Sequence, residues 1–334
     1  MKNNSKKFDV IGIGNAIVDL LIKTEDSFLN DNKLTKGSMS LITQEKADQL
    51  YIKNKSSLET SGGSAANTIA GLSALGSSAG FVGRVKEDYL GKTFIKDLCS
   101  TGAFFKTQPI KDGPSTARCF IYVTPDAERT MCTFLGSSVL LEPKDIDFSI
   151  VSNAKILYLE GYLWDLDSAK STFNIAAKRC KENGGKVALS LSDSFCIERH
   201  RESFQLLIEK YVDILFANES EIIQLYNSKS FESSIETIRD KCDISVLTKG
   251  PKGSPIINKD HSFAIKSYQF GKAIDTTGAG DLYASGFLHG YVNGENLETC
   301  GHIGSICAGY IVTQLGSRST ISLQKLVKEN INLL

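Results

Sequence analysis

Asp275-Thr276-Thr277-Gly278-Ala279-Gly280-Asp281-Leu282-Tyr283-Ala284-Ser285-Gly286-Phe287 is the stretch on which the reading of this chain turns. Its small residues let the backbone bend sharply and pass straight into an apolar helix expected over Ala279 to Tyr291. The free N–H groups of that first turn, reinforced by the macrodipole, form a cradle for an anion. Asp281 stands at the same N-terminus, where a carboxylate is well placed to be ionised. A carboxylate beside a phosphate cradle suits removal of a proton from an attacking hydroxyl. The competing reading of the same residues is structural, a capping Asp after a Gly-rich turn.

Outward from this segment, strand and helix patterns alternate, which predicts a mostly parallel sheet with helices on both faces. Phe8 to Gly14 reads as a buried first strand, and Ala79 to Gly83 as a short one. Ile156 to Leu159, Val187 to Leu191, Ile214 to Ala217 and Ile244 to Leu247 are further apolar runs. Helices are expected over Ser64 to Leu75, Gly91 to Cys99, Ser168 to Lys181, Glu198 to Lys210 and Gly304 to Leu315. Two stretches break the rhythm, Ala16 to Ile42 and the region from Ser115 to Leu135. Alternation in Thr116 to Val123 and Arg129 to Leu135, with Pro125-Asp126-Ala127-Glu128 between, predicts a hairpin outside the main sheet. We expect residues 1–334 to form one α/β/α domain, with a small β-sheet lid built from insertions at about 16–42 and 110–136.

Ser61-Gly62-Gly63-Ser64-Ala65-Ala66-Asn67 opens a helix. Its glycines allow a ligand close to the backbone, and Ser64 and Asn67 share one helical face. They suit a polyhydroxylated substrate, and equally a tight turn with an N-cap Ser. Gly12-Ile13-Gly14-Asn15-Ala16-Ile17-Val18-Asp19 carries G-x-G after a strand. Val18-Asp19 stands where a dinucleotide fingerprint needs its third glycine. Asn15 and Asp19 follow a buried strand end, where α/β folds line their ligand crevice, or else belong to the surface. In Ala217-Asn218-Glu219-Ser220-Glu221, Glu221 can hold water on Mg²⁺, or the motif simply caps a helix. Thr248-Lys249-Gly250-Pro251-Lys252-Gly253 is a further glycine turn.

Composition excludes several classes. With 334 residues, 41% hydrophobic and 23% charged, the chain can bury a sizeable core. Lys+Arg and Asp+Glu are both 38, so there is no net field drawing it to nucleic acid or anionic membrane. The basic cluster Lys2, Lys6 and Lys7 reads as a solvated tail. No apolar run reaches the ~18 residues of a membrane span, and Val10 to Ile13 is too short for a signal-peptide core. A cytoplasmic protein is expected. Eight cysteines without a C-x-x-C pair read as free buried thiols. There is no Walker P-loop, protein-kinase H-R-D or D-F-G motif, or G-x-S-x-G elbow. The four histidines, His200, His261, His289 and His302, show no triad partner.

Taken together, the segments Ser61 to Asn67 and Asp275 to Phe287 resemble the two signatures of the ribokinase-like (PfkB) carbohydrate and nucleoside kinase family, in the expected order. The resemblance covers essentially the whole chain. It implies a ribokinase-like three-layer α/β/α fold and phosphoryl transfer from ATP with Mg²⁺. Asp281 is similar to the family's catalytic base, and Gly278, Ala279 and Gly280 to its anion hole. Asn15, Asp19, Gly63, Ser64 and Asn67 resemble its substrate binders. Asn218 and Glu221 resemble its N-x-x-E motif, which reaches Mg²⁺ through water. Thr248, Gly250 and Gly253 resemble its nucleotide loop, with Ser305 and Ala308 beside the adenine. Arg129 is similar to a lid arginine that closes on the phosphates. Asp275 and Thr277 resemble a monovalent-cation site, which implies K⁺.

Within the family the adenosine kinase branch is most similar, through Gly14-Asn15 with Asp19, Leu189-Ser190-Leu191-Ser192-Asp193-Ser194-Phe195, and Tyr211 to Glu219. Ala65-Ala66-Asn67 instead resembles the sugar-kinase pattern. Three functions follow as expectations: phosphorylation of the adenosine 5′-hydroxyl, phosphorylation of a sugar such as fructose or ribose, or a nucleotide- or nucleoside-binding regulator without catalysis. The partners expected are the small acceptor and ATP, with no nucleic acid and no membrane, in a monomer or a lid-mediated homodimer. Phe120, Phe134, Tyr162 and Trp164 are the aromatics available to stack on a base. The lid is expected to close and exclude water.

Overall fold

The computed structural model describes residues 7–54, 58–126 and 128–331. Lys2 and Lys6 of the basic tail and Ala127 of the hairpin turn lie outside the described residues.

The first described element is strand β1 (Phe8–Ile13). After it come β2 (Ile17–Lys23), helix α1 (Asp26–Asp31), β3 (Met39–Leu41), α2 (Gln44–Lys53) and β4 (Leu58–Gly62). Helix α3 (Ser64–Ala74), β5 (Ala79–Val82), α4 (Tyr89–Ser100) and β6 (Phe104–Phe105) follow, then the hairpin β7 (Ala117–Val123) and β8 (Arg129–Phe134). The central alternation comprises α5 (Phe148–Ser152), β9 (Ala154–Glu160), α6 (Asp167–Glu182), β10 (Lys186–Ser190), α7 (Ser194–Tyr211), β11 (Ile214–Asn218), α8 (Glu219–Tyr226), α9 (Phe231–Arg239) and β12 (Ile244–Thr248). The described chain ends with β13 (Ser254–Asn258), β14 (Ser262–Ile265), α10 (Ala279–Val292), α11 (Leu297–Ile311) and α12 (Leu323–Ile331).

The strands form a nine-stranded sheet, in the order β14-β13-β12-β11-β10-β9-β1-β5-β6, and a five-stranded sheet, β3-β8-β7-β2-β4. The large sheet is parallel from β12 to β6; β13 and β14 join antiparallel. Period-2 geometry splits its apolar strands between two cores. Leu157 and Leu159 face α6 and α7, packing on Phe173 and Phe204. Ile156 and Tyr158 face the other way, towards Ile69 of α3 and Phe287 of α10. This is the ribokinase-like fold.

The small sheet also has two apolar faces. Leu20, Phe120, Tyr122 and Cys132 pack beneath Leu29 of α1 and Ala47 and Leu50 of α2. Cys119, Ile121 and Val123 form the opposite face with Ile17, Leu21 and Met131. The hairpin forms as its alternation predicts, and β4 joins the sheet from beyond the expected lid segments. Leu58-Glu59-Thr60-Ser61-Gly62 is polar and has no apolar period, so it gives no strand signal; its pairing with β2 supplies the order.

Helix α11 starts seven residues before the expected Gly304, capped by Asn296, whose side chain accepts from Thr299 N. Gly301 and Gly304 lie inside this helix. They serve close packing: a Cβ on Gly304 would lie 2.7 Å from Tyr283 O. Among the described residues the eight cysteines form no disulfide, and Cys99 is the exposed one. Among the described residues no helix is long and apolar enough to cross a membrane.

Candidate active site

The C-terminal ends of β10, β11 and β12 and the N-termini of α3 and α10 converge on one cleft under the small sheet, as expected for a parallel α/β sheet. Two cavities share it. One, of about 400 Å³, is lined by Asp19, Gly63, Ser64, Asn67, Asn218, Glu221 and Asp281 and by apolar residues of the small sheet. The other, of about 470 Å³, is lined by Thr248, Gly250, Gly253, Tyr268, Ser305 and Ala308. They meet at Thr248, Gly280 and Tyr283, which border both.

Helix α10 is capped by Gly278, at φ +76°, a left-handed conformation that favours glycine. A Cβ there would also lie 2.6 Å from Ser317. Ala279 N–H donates to Thr276 O and Leu282 N–H to Gly278 O. The amides of Gly280 and Asp281 have no backbone acceptor among the described residues. Space is open around Gly280, where an added Cβ would meet nothing within 4 Å. Free amides, open space and the positive end of a 14-residue helix together fit an anion.

Asp281 is therefore the third residue of the helix rather than its cap. Its Oδ1 accepts from Ser64 Oγ at 2.7 Å and its Oδ2 from Asn67 Nδ2 at 2.9 Å. The residue is half-open to the cavity, yet desolvation dominates its ionisation. Burial pushes the carboxyl up to about 6, against the pull of Ser64, Asn67 and the Arg318 guanidinium. Ser64 and Asn67 are aimed by Gly63, the N-cap of α3 at φ +93°, where a Cβ would sit 2.2 Å from Asn15 O.

Asp19 lines the first cavity, and burial with the neighbouring Asp281 and Asp275 pushes it up to about 7, opposed by Arg318 and Arg129. Asn15, expected beside it, lies behind the cleft and is 1% exposed. Its Nδ2 donates to Glu160 Oε1 at 2.8 Å and its Oδ1 accepts from Ser138 Oγ at 3.0 Å. Its amide is thus engaged on both sides by protein groups, and it does not line the cavity. Glu160 carried no sequence signal. Buried and pushed up to about 7, it also accepts from Ala65 N at 2.7 Å and ties the end of β1 to the start of α3.

Asn218 caps α8, and its Nδ2 and N–H donate to the two Glu221 oxygens at 2.6 and 2.9 Å. Burial raises Glu221 to about 7. Among the described residues no three His, Cys, Asp or Glu side chains form a metal cluster. That donor set suits Mg²⁺ held chiefly by phosphate oxygens and water, with Glu221 reaching it through a water molecule. Asp275 is 3% exposed; it accepts from Thr277 N at 2.9 Å and Gly316 N at 2.7 Å. Arg129 reaches down from β8 and bonds to both Asp275 and Thr277. A guanidinium thus occupies the two side chains expected to hold a monovalent cation. Among the described residues, Arg129 Nε and Nη2 are buried without a partner.

In the second cavity, Gly253 turns at φ +90°, where a Cβ would lie 2.1 Å from Ile265 O. Ser305 Oγ donates to Lys266 O at 2.7 Å, holding α11 against the cavity wall. Of the four candidate aromatics, Phe120 packs under α1 and α2 and Trp164 stacks in the core with Phe204. Phe134 lies against Arg118. Tyr162 alone of the four lines the first cavity, together with Cys119, Ile121 and Met131.

Comparison with known proteins places this geometry. Residues 36–324 match the model of the pfkB family of carbohydrate kinases. A nucleoside kinase from Methanocaldococcus jannaschii is 28% identical, over 81% of this chain and 85% of that protein. The crystal structure of a probable sugar kinase from Rhizobium etli superposes with a TM-score of 0.90 at 42% identity, covering 97% of this chain and 98% of the other. The adenosine kinase from Sinorhizobium meliloti gives 0.89 at 41% identity, covering 97% and 99%.

Proposed function

Since this chain belongs to the pfkB family of carbohydrate kinases, and so acts as a kinase on a hydroxyl acceptor, we propose that it phosphorylates the 5′-hydroxyl of adenosine with ATP. The observation that carries the chemistry is the position of Asp281, in the cavity of Ser64 and Asn67 and one residue from the open cradle at Gly280, which borders both cavities. The acceptor occupies the cavity of Asp19, Ser64 and Asn67, and ATP the cavity of Gly253 and Ser305.

Asp281 takes the hydroxyl proton as the acceptor oxygen bonds to the γ-phosphorus. The bond from that phosphorus to the β–γ bridging oxygen breaks, and ADP leaves with the electron pair. A carboxyl titrating at about 6 is ionised at neutral pH and is a stronger base than an ordinary Asp. The Gly280 and Asp281 amides stabilise charge on the phosphoryl oxygens. Arg129 leaves Asp275 to spend its unpartnered Nε and Nη2 on phosphate. Bound Mg²⁺ supplies charge neutralisation on the phosphates.

Adenosine is favoured by the apolar end of the acceptor cavity, where Cys119, Ile121 and Met131 of the lid face Tyr162 and Phe216. A flat nucleobase fills such a slot, whereas a free hexose would leave it wet. The 41% identity to an adenosine kinase supports the same reading. A sugar acceptor is the second reading, supported by Ala65-Ala66-Asn67 and by the 42% identity to a probable sugar kinase. A coupled ATP-consumption screen over adenosine, other nucleosides and hexoses separates them. Adenosine should give the highest kcat/KM; turnover of a hexose with none of any nucleoside would overturn the proposal.

A further inference from the structure

We propose that Arg318, in the segment between α11 and α12, is a positioning residue that holds Asn67, and through it Asp281, in the geometry for proton transfer. The inference rests on Asp281 being the base.

Arg318 lines neither cavity and lies 251 residues along the chain from the side chain it orients. Its Nη1 donates to Asn67 Oδ1 at 2.5 Å, and Ser317 Oγ donates to the same oxygen at 2.9 Å. Two donors on one oxygen fix which end of the amide is which. Asn67 must then turn Nδ2 towards Asp281, and it does so at 2.9 Å. Without those donors the amide is free to rotate and present its oxygen to the carboxylate.

The other arm of the fork grips the lid strand. Arg318 Nη2 donates to Ser61 O at 2.5 Å and Ser61 Oγ at 2.9 Å. Ser61 is also held by Asp97 of α4, which accepts from its N–H and its hydroxyl. Ser61 directly precedes Gly62 and Gly63, the link between β4 and α3. One guanidinium therefore ties the root of the lid to the partner of the base. Only arginine has two rigid donor arms for this geometry.

Arg318 also acts at a distance. The ionisable groups coupled to Asp281 are Arg318, Asp19 of β2, Tyr158 and Glu160 of β9, and Tyr162 in the turn after it. Among these Arg318 is the cation. It favours the ionised base, so its loss carries the acid limb of activity to higher pH.

The test compares Arg318→Gln, Arg318→Lys and Asp281→Asn with the parent in full pH profiles, with thermal melts as folding controls. Arg318→Gln should lower kcat by about 10- to 100-fold with both KM values within about threefold of the parent, and its acid limb should lie at higher pH. Arg318→Lys keeps the charge without the fork; its acid limb should stay near the parent's while kcat still falls. A folded Arg318→Gln with parental kcat and acid limb overturns the proposal. If that variant does not fold, Arg318→Lys with a parental kcat overturns it instead. Either result beside an inactive Asp281→Asn leaves the base assignment standing, whereas an active Asp281→Asn removes both.

Discussion

Replacing Asp281 by Asn should inactivate the enzyme and stabilise it at once. The amide preserves the hydrogen bonds: its Oδ1 accepts from Asn67 Nδ2, and its Nδ2 donates to Ser64 Oγ, whose hydroxyl can turn to accept. What disappears is the charge. The carboxyl is raised from 3.8 to about 6, chiefly by burial. Between those two values the folded state binds more protons than the unfolded chain, so this group lowers stability as pH rises. At about 1.4 kcal/mol per pKa unit the penalty is on the order of 2–3 kcal/mol above pH 6, and vanishes below about pH 4. With roughly 2.1 cal/mol/K of unfolding entropy per residue, that is about 3–4 °C in Tm for a chain of this length. The assay pairs kcat with melting curves at pH 8 and pH 5. Asp281→Asn should lose about 10²- to 10⁴-fold in kcat, and gain more Tm at pH 8 than at pH 5. In the parent, kcat should fall as pH drops through about 6. A variant of near-normal rate would refute the base assignment. One destabilised equally at both pH values would refute the desolvation argument.

Three further predictions follow from the same geometry. Gly63→Ala puts a Cβ 2.2 Å from Asn15 O at φ +93°, and should cost about 1–3 kcal/mol in urea unfolding; an unchanged midpoint would count against the tight turn. Glu221→Gln leaves an amide facing the Asn218 N–H and should raise the Mg²⁺ concentration for half-maximal rate by about 10-fold, read in a Mg²⁺ titration at saturating ATP, where no change would remove Glu221 from the metal's outer shell. Tyr162→Ala should raise the KM for adenosine by about 10-fold, the worth of one aromatic contact at ~1.4 kcal/mol, with the KM for ATP unmoved; equal effects on both would place the base elsewhere.

How much of this was legible depended on how local each signal was. The four apolar runs of β9 to β12 read clearly because both sheet faces are buried, so apolar residues dominate them whichever way they point, with Ser190 and Ser245 the polar ones. The turn into α10 read clearly because its left-handed Gly278 and its open cradle are made by consecutive residues. Asn15 misled for the opposite reason. A polar residue just past a strand end usually opens on the crevice, but this one is engaged by Glu160, 145 residues away. Glu160 and Arg318 carried no signal at all. Each sits in an unremarkable stretch, and its role exists only through contacts that the sheet brings together. The first signature, Ser61 to Asn67, was read as a helix start, and its beginning is also the end of β4. That strand is polar because it has little apolar surface to bury at the sheet edge.

The carboxylates of the cleft share one ionisation pattern. Asp19, Glu160 and Glu221 are each pushed to about 7 and Asp281 to about 6, with burial the first cause every time. They differ in what compensates them. Glu160 accepts from Asn15 N, Asn15 Nδ2 and Ala65 N, Glu221 from both donors of Asn218, and Asp281 from Ser64 and Asn67. Asp19 is the exception, for no side-chain or backbone donor among the described residues reaches it. Gly62 keeps the space beside it clear, since a Cβ there would lie 2.2 Å from the carboxylate. A desolvated carboxylate without donors is costly to keep, and it persists where a ligand supplies what the protein withholds. Two adjacent hydroxyls of a ribose would supply both donors at once. A site of that kind rejects an analogue that lacks the hydroxyls far more strongly than an apolar slot rejects a missing methyl group. On this reasoning we propose that Asp19 selects for the sugar part of the acceptor, and the apolar face of the small sheet only for what the sugar carries.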